Sequence, residues 1–302
     1  MRRASADRIR GLIYGLLVGD AMGVPYEFQY PAQIPAQAGT SMVPPAGFRR
    51  SHPSVPPGTW SDDGSQALCL LASLLYRDGL DLADLGARFV NWMACGYMAV
   101  DGVVFDIGIQ TSKSLLAVAS GGDAAQSGGT HERSNGNGSL MRVAPLVAWH
   151  RGSDQELVEL ADRQGWPTHR HPRSRVCCSL YCLWLRRLDQ ANAWESSVGT
   201  LRELYVGRPE MQRELAIVLH HRLKLGTGYV VDSLLGAREL LARHQDYASV
   251  VRAAVRLGDD SDTTAAIAGA AAGWREGVQG IPAEWLAALR ERETVEELLA
   301  QL

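Results

Sequence analysis

The sequence predicts an all-α protein, and three observations carry that prediction. Apolar residues recur at helical spacing through most of the chain. β-branched alternation never persists for more than a few residues. Gly11, Gly15 and Gly19 lie four apart on the first predicted helix, a spacing that permits close approach of a neighbouring backbone.

Length and composition bound the rest. The 302 residues allow one large domain or two of ordinary size. At 46% hydrophobic and 21% charged, the chain can bury a sizeable core, which excludes a disordered or fibrous protein. No stretch of about 18 uninterrupted apolar residues exists to span a membrane. A formal charge of −3 argues against nucleic acid as a main partner.

Taken in order, Ile9, Leu12, Ile13, Leu16 and Leu17 mark one face of the first helix. Arg2, Arg3, Arg8 and Arg10 before that apolar run imitate a signal peptide. The run is short, holds Gly15 and ends in Gly19-Asp20, so it reads as the first helix of the fold, and the cytoplasm is the expected compartment. Ala67, Leu68, Leu71, Leu74 and Leu75 form a second stripe, and Leu82, Leu85, Phe89 and Met93 a third. Similar patterns follow at 108–119, 139–149, 154–164, 173–188, 210–224, 229–243, 247–256, 263–275 and 283–301. Cys69, Cys95, Cys177, Cys178 and Cys182 form no CxxC pair and read as buried, reduced thiols.

Two irregular stretches interrupt the helices: 29–60, rich in Pro and Gly, and 120–138, rich in Gly, Ser and Asn. Each leads into a polar motif at a helix start, where sites tend to sit. No internal repeat appears, and one domain over 1–302 is the expected organisation.

Two acidic clusters lie about two hundred positions apart: Ser61-Asp62-Asp63 and Asp259-Asp260-Ser261-Asp262-Thr263. Each stands at a predicted helix N-terminus, where one or two such residues serve as caps. Adjacent Asp62-Asp63 and the Asp260-x-Asp262 pair exceed what a cap requires. If the two helix starts meet, four carboxylates face each other and match two divalent cations. An all-oxygen set suits magnesium, manganese or calcium rather than zinc. The other polar motifs are weak singly. Asp20 reads as a cap and Glu27 as a surface residue. Asp106 reads as an N-cap, and Asn135 to Arg142 as a turn suited to an anion or a sugar. His169 and His171 offer local structure or an isolated ligand contact, and Gly226 to Val231 a glycine turn.

Order and wording together are specific. Gly19-Asp20-Ala21-x-Gly23, Ser61-Asp62-Asp63, Asp106-Ile107-Gly108, Gly136 to Arg142, Thr168-His169, Gly226-x-Gly228-Tyr229 and Asp260-Ser261-Asp262-Thr263 follow one another as in the ADP-ribosylglycohydrolases, which this chain resembles from about residue 8 to about residue 290. The resemblance implies an all-α fold with a binuclear magnesium or manganese centre. It implies ligands Ser61, Asp62, Asp63, Asp260, Asp262 and Thr263. It makes Glu27 a candidate base, on a segment that is a mobile flap in some members, with Asp63 or Asp106 as helper. It places Asn137, Gly138, Ser139, His169, Gly228 and Tyr229 along an ADP-ribose cleft. The implied activity is metal-dependent removal of ADP-ribose from a protein side chain, arginine first, by water attack at the anomeric carbon. Serine-linked or O-acyl ADP-ribose hydrolysis is the enzymatic alternative, and a non-catalytic binder of ADP-ribose or a related nucleotide is the other. A monomer acting on an ADP-ribosylated protein or small molecule is expected.

The chain departs from the family at three positions. Arg256 and Asp259 replace the usual Asn and Gly before the last motif, either pairing with each other or perturbing the metal site through Asp259. Ile109 stands where a polar residue is common, removing a hydrogen bond around Asp106.

Overall fold

The structure, a computed structural model, describes residues 5–302. It is all-α: 60% of the chain is helical, in 14 α-helices and five short 3₁₀ turns, with no sheet among the described residues. No described helix is long and apolar enough to cross a membrane. Arg2 and Arg3 lie outside the described residues.

Two helices form the axis of the fold, α1 (Ala6–Gly23) and α12 (Ser261–Glu276). They run antiparallel with their backbones in contact. A Cβ on Gly11, Gly15 or Gly19 would sit 2.2, 2.4 and 2.1 Å from the carbonyl oxygens of Gly273, Gly269 and Ala265. Glycine is needed there because any side chain would push the helices apart. This row ends at Gly23, where a Cβ would meet the Asp262 backbone at 2.3 Å. The Ser261 hydroxyl donates to the Gly23 carbonyl at 2.9 Å. Close packing therefore delivers the C-terminus of α1 to the N-terminus of α12.

The remaining helices surround this pair. α2 (Asp62–Arg77) packs on α3 (Leu82–Cys95), and α3 on α4 (Ile109–Ala119). α6 (Asp154–Arg163) packs on α7 (Pro172–Arg186), which also carries α8 (Ala193–Leu204) and α9 (Pro209–Leu219). α10 (Val230–Arg243) and α11 (Tyr247–Val255) flank α12. α7 holds Cys177, Cys178 and Cys182 in the core. Cys69 is buried too, but Cys95 is exposed, so the expectation of buried thiols fails at that one position.

Two predicted spans differ from the structure, and one helix was not predicted. The pattern over 139–149 becomes a 3₁₀ turn at Asn137–Ser139 and a short α5 (Pro145–Trp149). Pro145 has no N–H to donate and opens a helix instead of sitting inside one. The span 283–301 divides into α13 (Ala283–Ala288) and α14 (Arg292–Leu299). The Arg290 N–H is drawn out to the Gly58 carbonyl at 3.1 Å, and Glu291 turns left-handed at φ 45°. α8 had no predicted counterpart. Its stripe of Trp194, Val198 and Leu201 is buried, but Ser196, Ser197 and Gly199 weaken the helical pattern in the sequence.

Candidate active site

The two acidic helix starts meet. The Thr263 hydroxyl on α12 donates to Asp63 Oδ2 on α2 at 3.2 Å, and the Ser61 hydroxyl reaches the same oxygen at 3.2 Å. The cap of α2 comes from two places. Ser61 Oγ accepts from the Asp63 N–H at 3.3 Å. Asp20, arriving on α1, accepts the Ser61 N–H at 3.0 Å and the Gly64 N–H at 2.8 Å. Asp20 thus caps α2 rather than its own helix. Capping is accomplished without Asp62 or the second oxygen of Asp63. The Asp63 Oδ1 atom is buried with no hydrogen-bond partner.

Glu27 and Asp106 close over this floor. Ligating oxygens of Glu27, Asp106 and Asp262 lie within 4.8 Å of one another. Glu27 is 3% exposed, so the surface reading of this residue does not hold. It follows a 3₁₀ turn at Val24–Tyr26 and is held by the loop that follows. His52 Nε2 meets Glu27 Oε2 at 2.6 Å, and the Ser51 hydroxyl donates to the Glu27 carbonyl. Asp106 lies three residues before α4, whose N-cap position is Gly108, so its carboxylate is not a cap.

Seven carboxylates now share one region: Asp20, Glu27, Asp62, Asp63, Asp106, Asp260 and Asp262. Burial, then the charges of Asp106, Asp260 and Asp20, push the Glu27 carboxyl up to about 9. Burial pushes Asp20 up to about 7 against the Ser61 and Gly64 N–H groups that it accepts, and Asp260 up to about 6. Asp62 rises well above the usual carboxylate range through burial, Asp106 and Asp262. Asp63 and Asp262 also rise well above that range, through burial and their acidic neighbours. Like charges gathered in a low dielectric demand either protons or cations. The unpartnered Asp63 Oδ1 and an all-oxygen donor set fit a hard divalent cation.

Above the carboxylates lies a cavity of about 390 Å³, lined by Glu27, Asp62, Asp106, Asp260 and Thr263 on one side and Asn137, Gly138, His169 and Gly228 on the other. Backbone pairing builds the second wall. The Asn137 N–H donates to the Gly228 carbonyl at 3.1 Å, and the Val230 N–H to the Asn135 carbonyl at 3.0 Å. The Gly129 N–H donates to the Thr168 carbonyl at 3.0 Å. Gly138 is required because a Cβ there would lie 2.7 Å from His169 Cε1. Asn137 Nδ2 donates to Asp260 Oδ2 at 2.6 Å, joining the two walls. Burial, then the Arg142 charge, lowers His169 to about 3, so its ring is neutral.

The expected site residues divide into three groups. Glu27, Asp62, Asp106, Asn137, Gly138, His169, Gly228, Asp260 and Thr263 line the cavity. Ser61, Asp63 and Asp262 lie buried at the meeting helix starts. Ser139 and Tyr229 are turned away from the cavity. Ser139 is fully buried beside Cys178 Sγ at 3.5 Å, and the Tyr229 hydroxyl faces Arg173 at 3.1 Å. His171 serves as local structure, its Nδ1 accepting the Arg173 N–H as the cap of α7.

Sequence reasoning missed His52, Gln110 and Thr111. Gln110 and Thr111 line the cavity directly after Ile109. Their place directly after the Asp106 motif was the available signal. A lone histidine in a Pro- and Gly-rich loop carried none.

Comparison with known proteins gives the family and the fold. The profile of the family described as ADP-ribosylglycohydrolase matches residues 1–302. The chain belongs to the ADP-ribosylglycohydrolase family. It is 30% identical to the ADP-ribosylarginine hydrolase Tri1 of Serratia proteamaculans (strain 568), over 99% of this chain and 79% of that protein. It is 30% identical to the ADP-ribosyl-[dinitrogen reductase] glycohydrolase of Rhodospirillum rubrum, over 97% of this chain and 96% of that one. A solved structure titled ADP-ribosylglycohydrolase-related protein complex superposes with a TM-score of 0.77 at 31% identity, covering 99% of this chain and 98% of that one. Members of this ADP-ribosylglycohydrolase family are generally metal-dependent, and the acidic cluster here is consistent with that.

The family departures take a physical form. Asp259 adopts φ 51°, a conformation that favours glycine. Its backbone pairs with the 28–29 segment: the Phe28 N–H donates to the Asp259 carbonyl, and the Asp259 N–H to the Gln29 carbonyl. Asp259 and Arg256 are both exposed, and the Asp259 charge adds to the upward shift of Asp260. Ile109 is 91% exposed at the mouth of the cavity.

Proposed function

We propose that this ADP-ribosylglycohydrolase is a metal-dependent enzyme that hydrolyses the bond between ADP-ribose and a protein side chain, with ADP-ribosylarginine as substrate. One observation carries the reading: seven carboxylates converge at a cavity that four of them line, with an unpartnered Asp63 oxygen buried in the cluster. The name of the Serratia proteamaculans relative adds support for the arginine linkage. Four buried, unpaired thiols fit the reducing, cytoplasmic compartment expected from the sequence.

Ser61, Asp62, Asp63, Asp260, Asp262 and Thr263 would hold two divalent cations, magnesium or manganese. When bound, such ions neutralise the carboxylates, orient ribose hydroxyls and make water more acidic. The chain's own residues do the rest. Glu27, aimed by His52 and ionised when the acidic charge around it is offset, takes the proton of the attacking water. The water oxygen bonds to the anomeric carbon as the bond to the acceptor nitrogen breaks. Asp106, in the same cluster, supplies the proton that the leaving nitrogen needs. Asp63 lies below the cavity surface, so its part is to hold the ion, not to touch substrate. Asn137, Gly138, His169 and Gly228 position the ADP-ribosyl group.

The test is release of ADP-ribose from an ADP-ribosylarginine protein with magnesium or with a chelator. Magnesium-dependent release is expected. Release from a serine-linked substrate alone would overturn the linkage, and release that persists under chelation would overturn the metal requirement.

A further inference from the structure

One buried cation reaches toward both walls of the cavity without touching it. Arg142 is fully buried and lies over the Phe89 ring at 4.4 Å. Its guanidinium is committed in three directions. Nη1 donates to Gln66 Oε1 at 2.7 Å, Nε donates to Gln164 Oε1 at 3.1 Å, and Nη2 donates to Thr168 Oγ1 at 2.8 Å. Two of these contacts lead onward. Gln66 Nε2 donates to Asp62 Oδ2 at 3.2 Å. Thr168 Oγ1 lies 2.9 Å from His169 Nδ1.

Hydrogen-bond accounting decides the orientations. A guanidinium has donors only, so Thr168 Oγ1 accepts from Arg142. The hydroxyl has a second lone pair and one proton, and only donation to His169 Nδ1 gives that buried proton a partner. Nδ1 is therefore the unprotonated nitrogen, and the ring proton sits on Nε2. Nε2 is the nitrogen beside the glycine wall, 3.5 Å from where a Gly136 Cβ would stand. Gln66 follows the same logic. Its oxygen accepts from Arg142, so its amide N–H group, not its oxygen, faces Asp62.

We propose that Arg142 and Thr168 are positioning residues that lock His169 in its Nε2–H tautomer, so that His169 meets the ligand as a hydrogen-bond donor to an acceptor oxygen of the ADP-ribosyl group. The same guanidinium turns the Gln66 amide toward Asp62. One buried charge thus orders the wall that binds the nucleotide and the wall that carries the acidic cluster. The identity of the ligand rests on the function proposed above; the tautomer does not.

The tautomer is read from nitrogen-15 spectra of histidine-labelled, ligand-free protein, with His169→Asn used to assign the signal. The Nε2–H form is expected in the wild type. Thr168→Val removes the hydroxyl at nearly constant volume. It should mix the two tautomers and weaken ADP-ribose binding roughly tenfold, while Thr168→Ser retains the wild-type spectrum and affinity. An Nδ1–H signal in the wild type overturns the proposal, as does a Thr168→Val protein with unchanged spectrum and affinity. Because the spectrum needs no ligand, absence of any ADP-ribose binding would sink the functional reading and leave the tautomer result intact.

Discussion

The two acidic helix starts look alike in sequence and are built differently. At α2, the free N–H groups are satisfied by Ser61 and by Asp20 from another helix. Asp62 is left to accept from Gln66, and Asp63 keeps one buried oxygen without a partner. At α12, no side chain of the N-cap residue Asp260 caps the helix; Asp260 accepts from Asn137 instead, and Asp262 accepts from the Thr263 N–H. The first start is relieved of local duty by a borrowed cap. The second is tied to the nucleotide wall. A carboxylate at a helix N-terminus is thus judged by what else satisfies that terminus, not by its position alone.

The sharpest way to break the comparison is to remove one carboxylate from each start. Asp62→Ala and Asp260→Ala should each lower ADP-ribose release by on the order of a thousandfold, the weight of several kcal/mol of cation chemistry. Steady-state rates and calorimetric magnesium binding check it. Full activity in either variant would refute the assignment.

The borrowed cap is tested next. Asp20→Ala strands the Ser61 and Gly64 N–H groups in the interior and should cost about 2–4 kcal/mol in denaturant unfolding. Ser61→Ala should cost about 1 kcal/mol, as for an ordinary cap. Equal costs would mean that Asp20 does no more than Ser61.

Charge balance gives the third test. The folded carboxyls of Asp260, Asp20 and Glu27 hold protons up to about 6, 7 and 9, above the usual carboxylate range. The unfolded chain releases those protons at lower pH. Stability of the metal-stripped protein is therefore greatest at low pH and falls as pH rises through that window. Saturating magnesium should flatten the slope by stabilising the ionised forms. Thermal melts from pH 5 to pH 9, with chelator and with metal, measure it. A metal-stripped protein whose melting temperature rises across this range would contradict the balance of charge described here.

The smallest effect lies just before α12. Asp259→Gly relieves a left-handed residue and one like charge beside Asp260. A gain of about 0.5–1 kcal/mol is expected. Loss of stability would show that the exposed Asp259 side chain has a favourable role.

Much of this was legible in the sequence, for identifiable reasons. Gly11, Gly15 and Gly19 announced a close helix contact because only a missing Cβ allows one. Asp62-Asp63 and Asp260-x-Asp262 exceeded capping need, and the excess pointed to a site. α8 was not legible, because Ser196, Ser197 and Gly199 obscure a stripe that only burial against α7 makes decisive. His52 was not legible either: its link to Glu27 depends on how a loop of 24 intervening positions folds back.

By itself the sequence determined the helical periodicity, the glycine row and the chemistry of the acidic motifs. These are local properties, set by side-chain size, spacing and charge. Only the tertiary structure decided that Thr263 reaches Asp63, that Asp20 caps a foreign helix, and that Ser139 and Tyr229 turn away from the cavity. Those outcomes pair residues up to 200 positions apart. They depend on helix packing, where backbone contact between α1 and α12 fixes which side chains meet and which buried polar atoms find partners.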